Sequence, residues 1–323
     1  MPARLFLVTG GAGFIGSHIT EALIERGDRV RVLDNLSTGH PANMNSFRQQ
    51  IEFVQGDITD AAVAAKAVAG VECVFHEAAL ASVPLSLERP LESHAAGATG
   101  TVTLLDAARR AGVRRVVYAA SSAAYGNQPT SSKRESDLPA PLSPYAAAKL
   151  AGELYCQAFS ASFGLETVAI RYFNVFGPRQ DPQSPYSAVI PLFITALLAG
   201  RPPVIYGDGR QSRDFSFVGN VVHANLLAAD APAVAGRTIN AADGRSVDLL
   251  TLLETINRLL GTNIRPKFAP PRPGDVRDSQ ADITLARSLL GYEPQVHFEE
   301  GLRRSIDYYR ACATGSAGAA KRR

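Results

Sequence analysis

The sequence of 323 residues has no tryptophan, two methionines and three cysteines. The cysteines, Cys73, Cys156 and Cys312, are far apart and form no CxxC pair, so we expect neither a disulfide framework nor a metal site. No apolar run approaches the roughly 18 residues that a membrane span needs. The run Leu5–Val8 is too short for the core of a signal peptide. We therefore expect a soluble, cytoplasmic protein with no membrane partner.

The sequence also lacks a large surplus of either charge. Lys and Arg number 33 against 30 for Asp and Glu, and the last three residues, Lys321, Arg322 and Arg323, account for the whole difference. Basic residues are not clustered with aromatic ones, so we expect no nucleic-acid partner. The hydrophobic fraction of 46% is typical of a chain that folds around a sizeable core.

The first 175 residues alternate between short apolar runs and longer helical patterns. The predicted strands are Leu5–Thr9, Arg29–Asp34, Ile51–Gln55, Cys73–His76, Arg115–Ala120 and Thr167–Arg171. The predicted helices between them are Ile15–Arg26, Ala61–Ala69, Thr99–Ala111 and Tyr145–Phe163. Continuous apolar strands separated by helices are typical of a parallel sheet covered on both faces. We predict an α/β fold of the Rossmann type, with a doubly wound parallel sheet in a domain spanning residues 1–175.

Proline becomes frequent after about Asn174, and the pattern changes. Helical patterns recur at Val189–Leu198, Asn220–Ala229, Leu249–Leu260 and Ile283–Leu290. Loops rich in proline and glycine between short elements are typical of a ligand cleft. We predict a smaller α/β substrate-binding lobe over residues 176–310, with a segment near 214–241 returning to the first domain. Residues 311–323 are predicted to form a disordered tail.

A glycine-rich turn follows the first predicted strand. Residues 9–16 read TGGAGFIG, so that Gly10, Gly13 and Gly16 fit the spacing GxxGxxG where a strand ends and a helix begins. Glycine lets the backbone approach a pyrophosphate at the free N–H groups of a helix N-terminus. Asp34 ends the next strand and is placed to accept a ribose 2′-hydroxyl, which favours NAD over NADP. The alternative is a glycine-rich turn without a ligand.

A tyrosine and a lysine four residues apart begin the helix predicted at 145–163. This spacing places Tyr145 and Lys149 on one helix face. We expect the ammonium, with the positive nicotinamide of NAD⁺, to lower the pKa of the phenol, ordinarily about 10, so that it serves as a base. Ser121 follows another predicted strand and can hydrogen-bond both the phenol and a substrate oxygen. The alternatives are a solvated pair on a helix surface and a serine that caps a turn.

Nine short motifs are spread over about residues 4–310. They are TGGAGFIG at 9–16, DNLSTG at 34–39, GDITD at 56–60, FHEAA at 75–79, SSAAYG at 121–126, SPYAAAK at 143–149, RYFNVFGPRQDP at 171–182, GDGRQSRDF at 207–215 and RPGDVRDSQAD at 272–282. Together these motifs resemble those of the extended short-chain dehydrogenase/reductases, and specifically of the UDP-sugar 4-epimerases. The resemblance implies an enzyme that inverts C4 of a UDP-sugar with tightly bound NAD.

The resemblance implies a role for each matching position. The residues expected to bind NAD are Gly10, Gly13, Phe14, Ile15, Gly16, Asp34, Asn35, Ser37, Thr38, Gly39, Asp57, Ile58, Ala78, Ala79, Tyr145, Lys149 and Phe173. Those expected to hold the UDP moiety are Asn174, Val204, Tyr206, Arg213, Arg272 and Asp275. Those expected around the sugar are Ala81, Ser82, Ser121, Ser122, Tyr145, Gln180, Ala188, Val189 and Ser279. The arginines would offset the charge of the diphosphate.

The implied reaction removes a hydride from C4 and returns it to the opposite face of a 4-keto sugar. Tyr145 takes the proton of the C4 hydroxyl, Lys149 lowers the pKa of Tyr145 and holds the nicotinamide ribose, and Ser121 positions the C4 oxygen. The related dehydratases carry an Asp-Glu pair just after the catalytic hydroxyl, where this sequence has Ser122 and Ala123. Dehydration is therefore not expected.

The pocket around the sugar is expected to be open. Ala81, Ser82, Ala188 and Ser279 are small, whereas some glucose-specific relatives carry a tyrosine at the position of Ser279. We therefore expect UDP-GlcNAc and UDP-GalNAc as substrates, with UDP-Glc and UDP-Gal also accepted. The alternatives are a strict UDP-glucose 4-epimerase, a UDP-glucuronate 4-epimerase and, outside enzymes, an NAD-sensing regulator on the same fold.

Three positions depart from the family pattern. Gly97 and Asn220 stand where relatives usually have Asn and Asp, and Ala123 lacks a hydroxyl found in some N-acetylhexosamine epimerases. The helices predicted at 99–111 and 145–163 match those that form a four-helix dimer interface in the family. The resemblance therefore also implies a homodimer.

Overall fold

The computed structural model describes residues 4–130, 132–182, 187–271, 277–313 and 315. Within them the strands are β1 Leu5–Thr9, β2 Arg29–Asp34, β3 Ile51–Gln55, β4 Cys73–His76, β5 Arg115–Ser121, β6 Ser132–Lys133, β7 Glu166–Tyr172, β8 Val175–Phe176, β9 Val204–Tyr206, β10 Ser212–Asp214, β11 Ser216–Phe217, β12 Arg237–Ala241, β13 Ser246–Asp248, β14 Lys267–Ala269 and β15 Asp278–Ala281. The helices are α1 Phe14–Glu25, α2 Ala61–Val68, α3 Val83–Glu88, α4 Pro90–His94, α5 Gly100–Arg110, α6 Pro144–Phe163, α7 Val189–Leu198, α8 Val218–Asp230, α9 Leu249–Leu260, α10 Thr284–Leu290 and α11 Phe298–Ala313.

The main sheet is parallel throughout and has the strand order β12-β7-β5-β4-β1-β2-β3. Neighbouring residues of β1 face opposite sides, with Phe6 and Val8 in one apolar cluster and Leu7 in another. The first cluster includes side chains of α1 and α8, and the second includes side chains of α2, α5 and α6. The predicted Rossmann-type α/β fold is confirmed, and the six predicted strands agree with the structure to within one residue at each end.

The order of the main sheet reverses between β1 and β4. The chain runs from β1 to β2 and β3 on one side, and from β4 to β5 and β7 on the other. In open parallel sheets the loops diverge at such a point and leave a crevice at the carboxyl ends of the strands. The residues that follow β1, β4 and β5 therefore meet at one place.

A smaller set of elements packs beside the main sheet. It includes a four-stranded sheet in the order β13-β10-β15-β6 and a two-stranded sheet of β14 and β9. A third apolar cluster joins α7, α9 and α11. The strand β12 pairs with β7, so the chain returns to the main sheet between β10 and β13.

The last helix extends into the segment predicted to be a disordered tail. Helix α11 continues to Ala313, so residues 311–313 are helical. Buried Leu302, Ile306 and Tyr309 anchor one face of the helix, and Glu300 pairs with arginines three and four residues later on the exposed face. Of the remaining predicted tail, only residue 315 belongs to the described part of the chain. No helix within the described residues combines the length and the apolar character that crossing a membrane requires.

Candidate active site

The loop after β1 is shaped by close backbone contacts. Gly10 has a φ of +68°, and a Cβ at that position would lie 2.8 Å from the amide nitrogen of Ala78. A Cβ on Gly16 would overlap the carbonyl oxygen of Gly10. Gly13 precedes the first residue of α1 and supplies no side chain to cap the helix. The N-terminus of α1 thus faces open space where an anion can meet its free N–H groups.

Asp34 is fixed beside this loop at the end of β2. Its carboxylate accepts a 2.9 Å hydrogen bond from the amide of Ala12 and a 2.8 Å bond from the amide of Leu36. Farther along the same edge, Asn35 donates to the carboxylate of Asp57 at 2.8 Å. Asp57 also accepts bonds from the amide and the hydroxyl of Thr59, which fixes its orientation. The carboxylates of Asp34 and Asp57, both oriented by hydrogen bonds, therefore lie at one end of the crevice.

A cavity of about 480 Å³ follows the carboxyl ends of β1, β2 and β4. Of the residues predicted to bind NAD or the sugar, it is lined by Gly10, Gly13, Phe14, Ile15, Gly16, Asp34, Asn35, Ser37, Thr38, Gly39, Asp57, Ile58, Ala78, Ala79 and Ala81. Phe173 is instead fully buried, and its ring packs against Tyr125 with centroids 6.0 Å apart. The lining combines the glycine loop at the N-terminus of α1 with the carboxylates of Asp34 and Asp57, a combination that fits a dinucleotide.

The predicted catalytic residues meet at the next strand end. Ser143 caps α6 by accepting a 3.2 Å bond from the amide of Ala146, and this cap places Tyr145 in the first helical turn. The phenol of Tyr145 lies beside the side chain of Ser121 at the end of β5, and this hydroxyl lowers the pKa of the phenol. The hydroxyl of Ser121 also accepts a 3.1 Å bond from the amide of Ala123. Ser121 thus caps a turn and contacts the phenol at the same time.

Burial has the largest effect on the pKa values of Tyr145 and Lys149. Burial raises the pKa of Tyr145, the hydrogen bond with Ser121 lowers it in part, and Glu77 raises it further. The ammonium of Lys149 donates a 2.6 Å hydrogen bond to the carbonyl of Ala119, and burial lowers the pKa of Lys149 to about 8. In the chain alone, desolvation of the phenol outweighs the effect of Ser121, so the net shift of the Tyr145 pKa is upward. The expected lowering by Lys149 together with the nicotinamide stays a prediction.

Glu77 is a site residue that the sequence reasoning did not single out. It follows β4 in the motif FHEAA, lines the cavity, and accepts a 2.7 Å hydrogen bond from the phenol of Tyr172. Burial raises the pKa of Glu77 to about 7, while the bond from Tyr172 and the charge of Lys149 oppose the rise. An acidic residue in an otherwise apolar strand end was the available signal in the sequence.

The neighbouring His76 has a structural role. Its Nδ1 lies 2.8 Å from the hydroxyl of Thr9, and its Nε2 lies 3.0 Å from the hydroxyl of Thr101. Burial lowers the pKa of His76 to about 3, and the charge of Lys149 lowers it further. The imidazole is neutral at physiological pH and links β1, β4 and α5.

Of the predicted UDP-binding residues that the structure describes, Arg213, Val204 and Tyr206 lie on the smaller set of elements, and Asn174 lies between β7 and β8. Arg213 on β10 is directly opposite Ser279 on β15, and its guanidinium donates to the carbonyls of Ser212 and Arg277 at 2.8 and 3.0 Å. Asn174 donates to the carbonyl of Asp214 at 3.3 Å. Val204 and Tyr206 are the ends of β9. Arg272 and Asp275 lie outside the described residues.

Asp214 holds the strands that carry these residues, and the sequence reasoning missed its role. Its carboxyl accepts 3.1 Å bonds from the backbone amides of Asp243, Gly244 and Ala281. Burial raises its pKa to about 7, against the effect of these bonds. Asp214 thus joins β10 to β15 and fixes the relative position of Arg213 and Ser279.

The remaining predicted sugar-binding residues are separated along the chain. Ser82 caps α3 by accepting from the amide of Leu85 at 3.2 Å, and Ser122 begins a single 3₁₀ turn after Ser121. Ala188 and Val189 lie at the start of α7. Gln180 donates its amide N–H to the carbonyl of Val175 at 3.1 Å, and its buried Oε1 has no hydrogen-bond partner within the described residues.

Comparisons with known proteins agree with this geometry. Residues 6–242 match the model of the NAD dependent epimerase/dehydratase family. The chain is 40% identical over 308 residues to a UDP-glucose 4-epimerase of Mycolicibacterium smegmatis, covering 94% of this chain and 98% of that protein. It is 32% identical over 313 residues to a UDP-glucuronate 4-epimerase of Thermodesulfobacterium geofontis, covering 94% of this chain and 95% of that protein.

A solved structure is similar over nearly the whole chain. It is a UDP-N-acetylglucosamine 4-epimerase from Methanobrevibacter ruminantium in complex with UDP-N-acetylmuramic acid. The TM-score is 0.92 at 42% sequence identity, and the similarity covers 97% of this chain and 100% of the other. Relatives that act on three different UDP-sugars therefore share this fold and length.

Proposed function

Because the chain belongs to the NAD-dependent epimerase/dehydratase family, we propose that it interconverts UDP-GlcNAc and UDP-GalNAc by inverting C4, and that it also accepts UDP-Glc and UDP-Gal. At the coarser level it is an enzyme, an NAD-dependent UDP-sugar 4-epimerase. The observation that carries the proposal is the placement of Ser121, Tyr145 and Lys149 at one strand end, beside a cavity lined by the glycine loop and Asp34.

The cavity fits NAD on steric grounds. A Cβ on Gly10 would clash with the backbone of Ala78, and a Cβ on Gly16 would clash with the carbonyl oxygen of Gly10. Glycine at these two positions therefore lets the loop after β1 take its close path beside the cavity. Asp34 is oriented by two backbone amides and has lone pairs left for a ribose hydroxyl. When bound, NAD supplies the hydride acceptor and donor for C4. The residues that would hold it are those of the cavity lining, with Lys149 at its ribose.

We assign the proton transfer to Tyr145. Its phenolate takes the proton of the C4 hydroxyl as a hydride leaves C4 and the 4-keto sugar forms, and the phenol returns the proton when hydride comes back to C4 after the sugar has turned in the pocket. Ser121 donates a hydrogen bond to the C4 oxygen, since its oxygen accepts from the amide of Ala123 and its O–H remains as the donor. Lys149 fixes the first turns of α6 to β5 through Ala119 and so holds Tyr145 in place. No acid occupies positions 122 and 123, which argues against elimination of water.

The preference for N-acetylated sugars is supported by the size of the residues around the pocket. Ala81, Ala188 and Ser279, which the resemblance places around the sugar, have small side chains that would leave room for a substituent at C2. The Oε1 of Gln180 has no hydrogen-bond partner within the described residues, and such an acceptor suits an amide N–H or a hydroxyl of the sugar. The relative of known structure at 42% identity acts on UDP-N-acetylglucosamine. A glucuronate would bring a carboxylate, for which these four side chains offer no positive partner.

The test is a comparison of kcat/KM for UDP-GlcNAc, UDP-Glc and UDP-GlcA, with the C4 configuration of each product read by NMR. The proposal predicts the highest kcat/KM for UDP-GlcNAc and measurable turnover of UDP-Glc. A higher value for UDP-GlcA would overturn the assignment of the sugar. Absence of C4 inversion on all three substrates would overturn the proposed function as a whole.

We also propose a homodimer centred on α6. Six large apolar side chains are exposed on α3, α4 and α6, and the most exposed on each helix or nearly so are Leu87 on α3 at 64%, Leu91 on α4 at 84% and Leu154 on α6 at 53%. Helices α3 and α4 both contact α6, so the three helices are neighbours. Along α5, which the structure describes in full, no large apolar side chain is exposed. The structure thus favours α3, α4 and α6 as the apolar centre, with α5 at its border.

A further inference from the structure

Glu77 lies at the end of β4, close to the residue that holds Lys149. The preceding His76 pairs with Tyr118 on β5, which places Glu77 alongside Ala119. The carbonyl of Ala119 accepts the hydrogen bond of the Lys149 ammonium.

The backbone amide of Glu77 donates to the carbonyl of Thr9 at 3.2 Å, which ties the residue to the end of β1. Its side chain accepts the 2.7 Å bond from Tyr172, whose phenol in turn accepts a 2.8 Å bond from the amide of Asn225. The carboxyl is therefore held by a chain of hydrogen bonds from β7 and α8 and lines the cavity.

Few other ionisable groups face this carboxyl. Within the described residues, Lys149 and Tyr145 from α6 and Tyr172 from β7 interact with it. The other ionisable groups near Lys149 are His76 and Cys156, which lies two helical turns further along α6. Tyr118 on β5 lies behind Tyr145 and under the ammonium of Lys149. Burial holds the Tyr118 phenol and the Cys156 thiol protonated and His76 neutral, so Glu77 is the acid whose charge can change near neutral pH.

We propose that Glu77 is a positioning residue that sets the protonation states of Tyr145 and Lys149 through its own proton. The inference rests on the proposed role of Tyr145 as the base. An ionised Glu77 stabilises the ammonium of Lys149 and opposes the phenolate of Tyr145 across the same desolvated space. A protonated Glu77 removes both effects. The three groups therefore titrate as one coupled unit.

The proposal predicts that both catalytic pKa values shift in the same direction when the charge of Glu77 is removed. Glu77 raises the pKa of Tyr145 and also raises that of Lys149. Glu77→Gln keeps an acceptor for Tyr172 and removes only the charge, so the pKa values of both catalytic residues should fall. The acid limb of the kcat/KM profile should move to lower pH by about one unit, the usual size of such environmental shifts. A purely structural role for Glu77 would lower the rate without moving the profile.

The decisive experiment titrates the Tyr145 phenol directly in the NAD-bound protein without substrate. Ultraviolet difference absorption between the protein and its Tyr145→Phe variant isolates this phenolate, and the measurement is repeated in the Glu77→Gln background. We expect a downward shift of about one unit. Glu135→Gln is the matched control, because Glu135 is another partly buried carboxyl, bonded to the amide of Asn240, and has no contact with the catalytic pair. An unchanged or higher Tyr145 pKa in Glu77→Gln, or an equal shift in the control, would overturn the proposal.

A second variant keeps the carboxyl of Glu77, so it tests the proposal even if Glu77→Gln does not fold. Tyr172→Phe removes the hydrogen bond that lowers the pKa of Glu77. The infrared band of the protonated carboxyl should then persist to higher pH than in the parent protein. A band whose pH midpoint does not move would contradict the proposal. Since neither titration needs turnover, failure to epimerise any UDP-sugar would defeat the proposed function and leave these results standing.

Discussion

The ammonium of Lys149 is bonded to the carbonyl of Ala119 at 2.6 Å. Ala119 lies two residues before Ser121 on the same strand, and Tyr145 lies one helical turn before Lys149 on the same helix. This bond therefore fixes the start of α6 against the end of β5. The contact between the phenol and the serine follows from it.

We expect Tyr145→Phe to retain NAD and to lose at least about a hundredfold in kcat, the usual contribution of a positioned general base. The variant removes one hydroxyl and keeps the aromatic ring, so folding should not suffer. NAD content and steady-state rate are measured on the same preparation. Tyr308→Phe on α11, outside the site and the proposed dimer surface, is the matched control. Near-normal turnover in Tyr145→Phe would refute the assignment of the base.

The phosphate loop can be tested with two glycines of nearly the same backbone conformation. Gly10 and Gly70 have φ values of +68° and +71°, but a Cβ meets the backbone of Ala78 only at Gly10 and meets nothing within 4 Å at Gly70. Gly70→Ala should cost about 1–2 kcal/mol of unfolding free energy, the cost of the left-handed region alone. Gly10→Ala should cost more and weaken NAD binding at least about tenfold, because the loop must shift. Equal effects on NAD binding would contradict the close fit.

The size of the sugar pocket is tested by Ser279→Tyr. A phenol at this position on β15 fills the space assigned to the N-acetyl group. We expect kcat/KM for UDP-GlcNAc to fall at least about a hundredfold while that for UDP-Glc changes less than about threefold. Ser288→Tyr on the exposed face of α10 serves as the control and should leave both values unchanged. An equal loss on both substrates would mean that Ser279 does not face C2.

Leucine-to-glutamate substitutions test the proposed dimer surface. Leu91→Glu combined with Leu154→Glu places two carboxylates in the apolar centre, and the dimer should weaken by about a hundredfold or more. Leu138→Glu changes a side chain that is 83% exposed outside α3, α4 and α6, and it should have no effect. Analytical ultracentrifugation reads the molar mass of all three proteins. A doubly substituted protein that sediments like the parent would place the interface elsewhere or exclude it.

The buried carboxyl of Glu77 also predicts the pH dependence of stability. Its pKa rises from an ordinary value of 4.5 to about 7 in the folded protein, so between these values the folded state binds more protons than the unfolded state. This contribution to stability is therefore present at low pH and is lost as the pH rises toward 7. Glu77→Gln removes a difference of up to about 3 kcal/mol across this interval. Urea unfolding at about pH 5 and about pH 8 measures it, and parallel behaviour of the two proteins would contradict the shift.

The sequence predicted the main sheet well because its strands are uninterrupted apolar runs between helices. The short helices α3 and α4 were not predicted, since Pro84 and Pro90 interrupt the pattern and each helix has only five or six residues. Helix α11 was missed because its charged face hides the apolar one.

The site was predictable where spacing alone places residues, as for the glycine loop and the pair Tyr145 and Lys149. The direction of the pKa shift of Tyr145 was not predictable, because it depends on burial that only the packed fold determines. The roles of Glu77 and Asp214 depend on partners that are far apart in the sequence. Tyr172 lies 95 residues from Glu77, and Ala281 lies 67 residues from Asp214.

The central claim is that the enzyme moves a hydride away from C4 and returns it to the same carbon. The most direct test supplies UDP-GlcNAc deuterated at C4 to the purified NAD-bound enzyme in ordinary water. Product NMR then reports both the configuration and the isotope at C4. The account predicts UDP-GalNAc that retains the deuterium at the inverted carbon. Inverted product that has exchanged its label with solvent, or labelled substrate with no inversion, would contradict it.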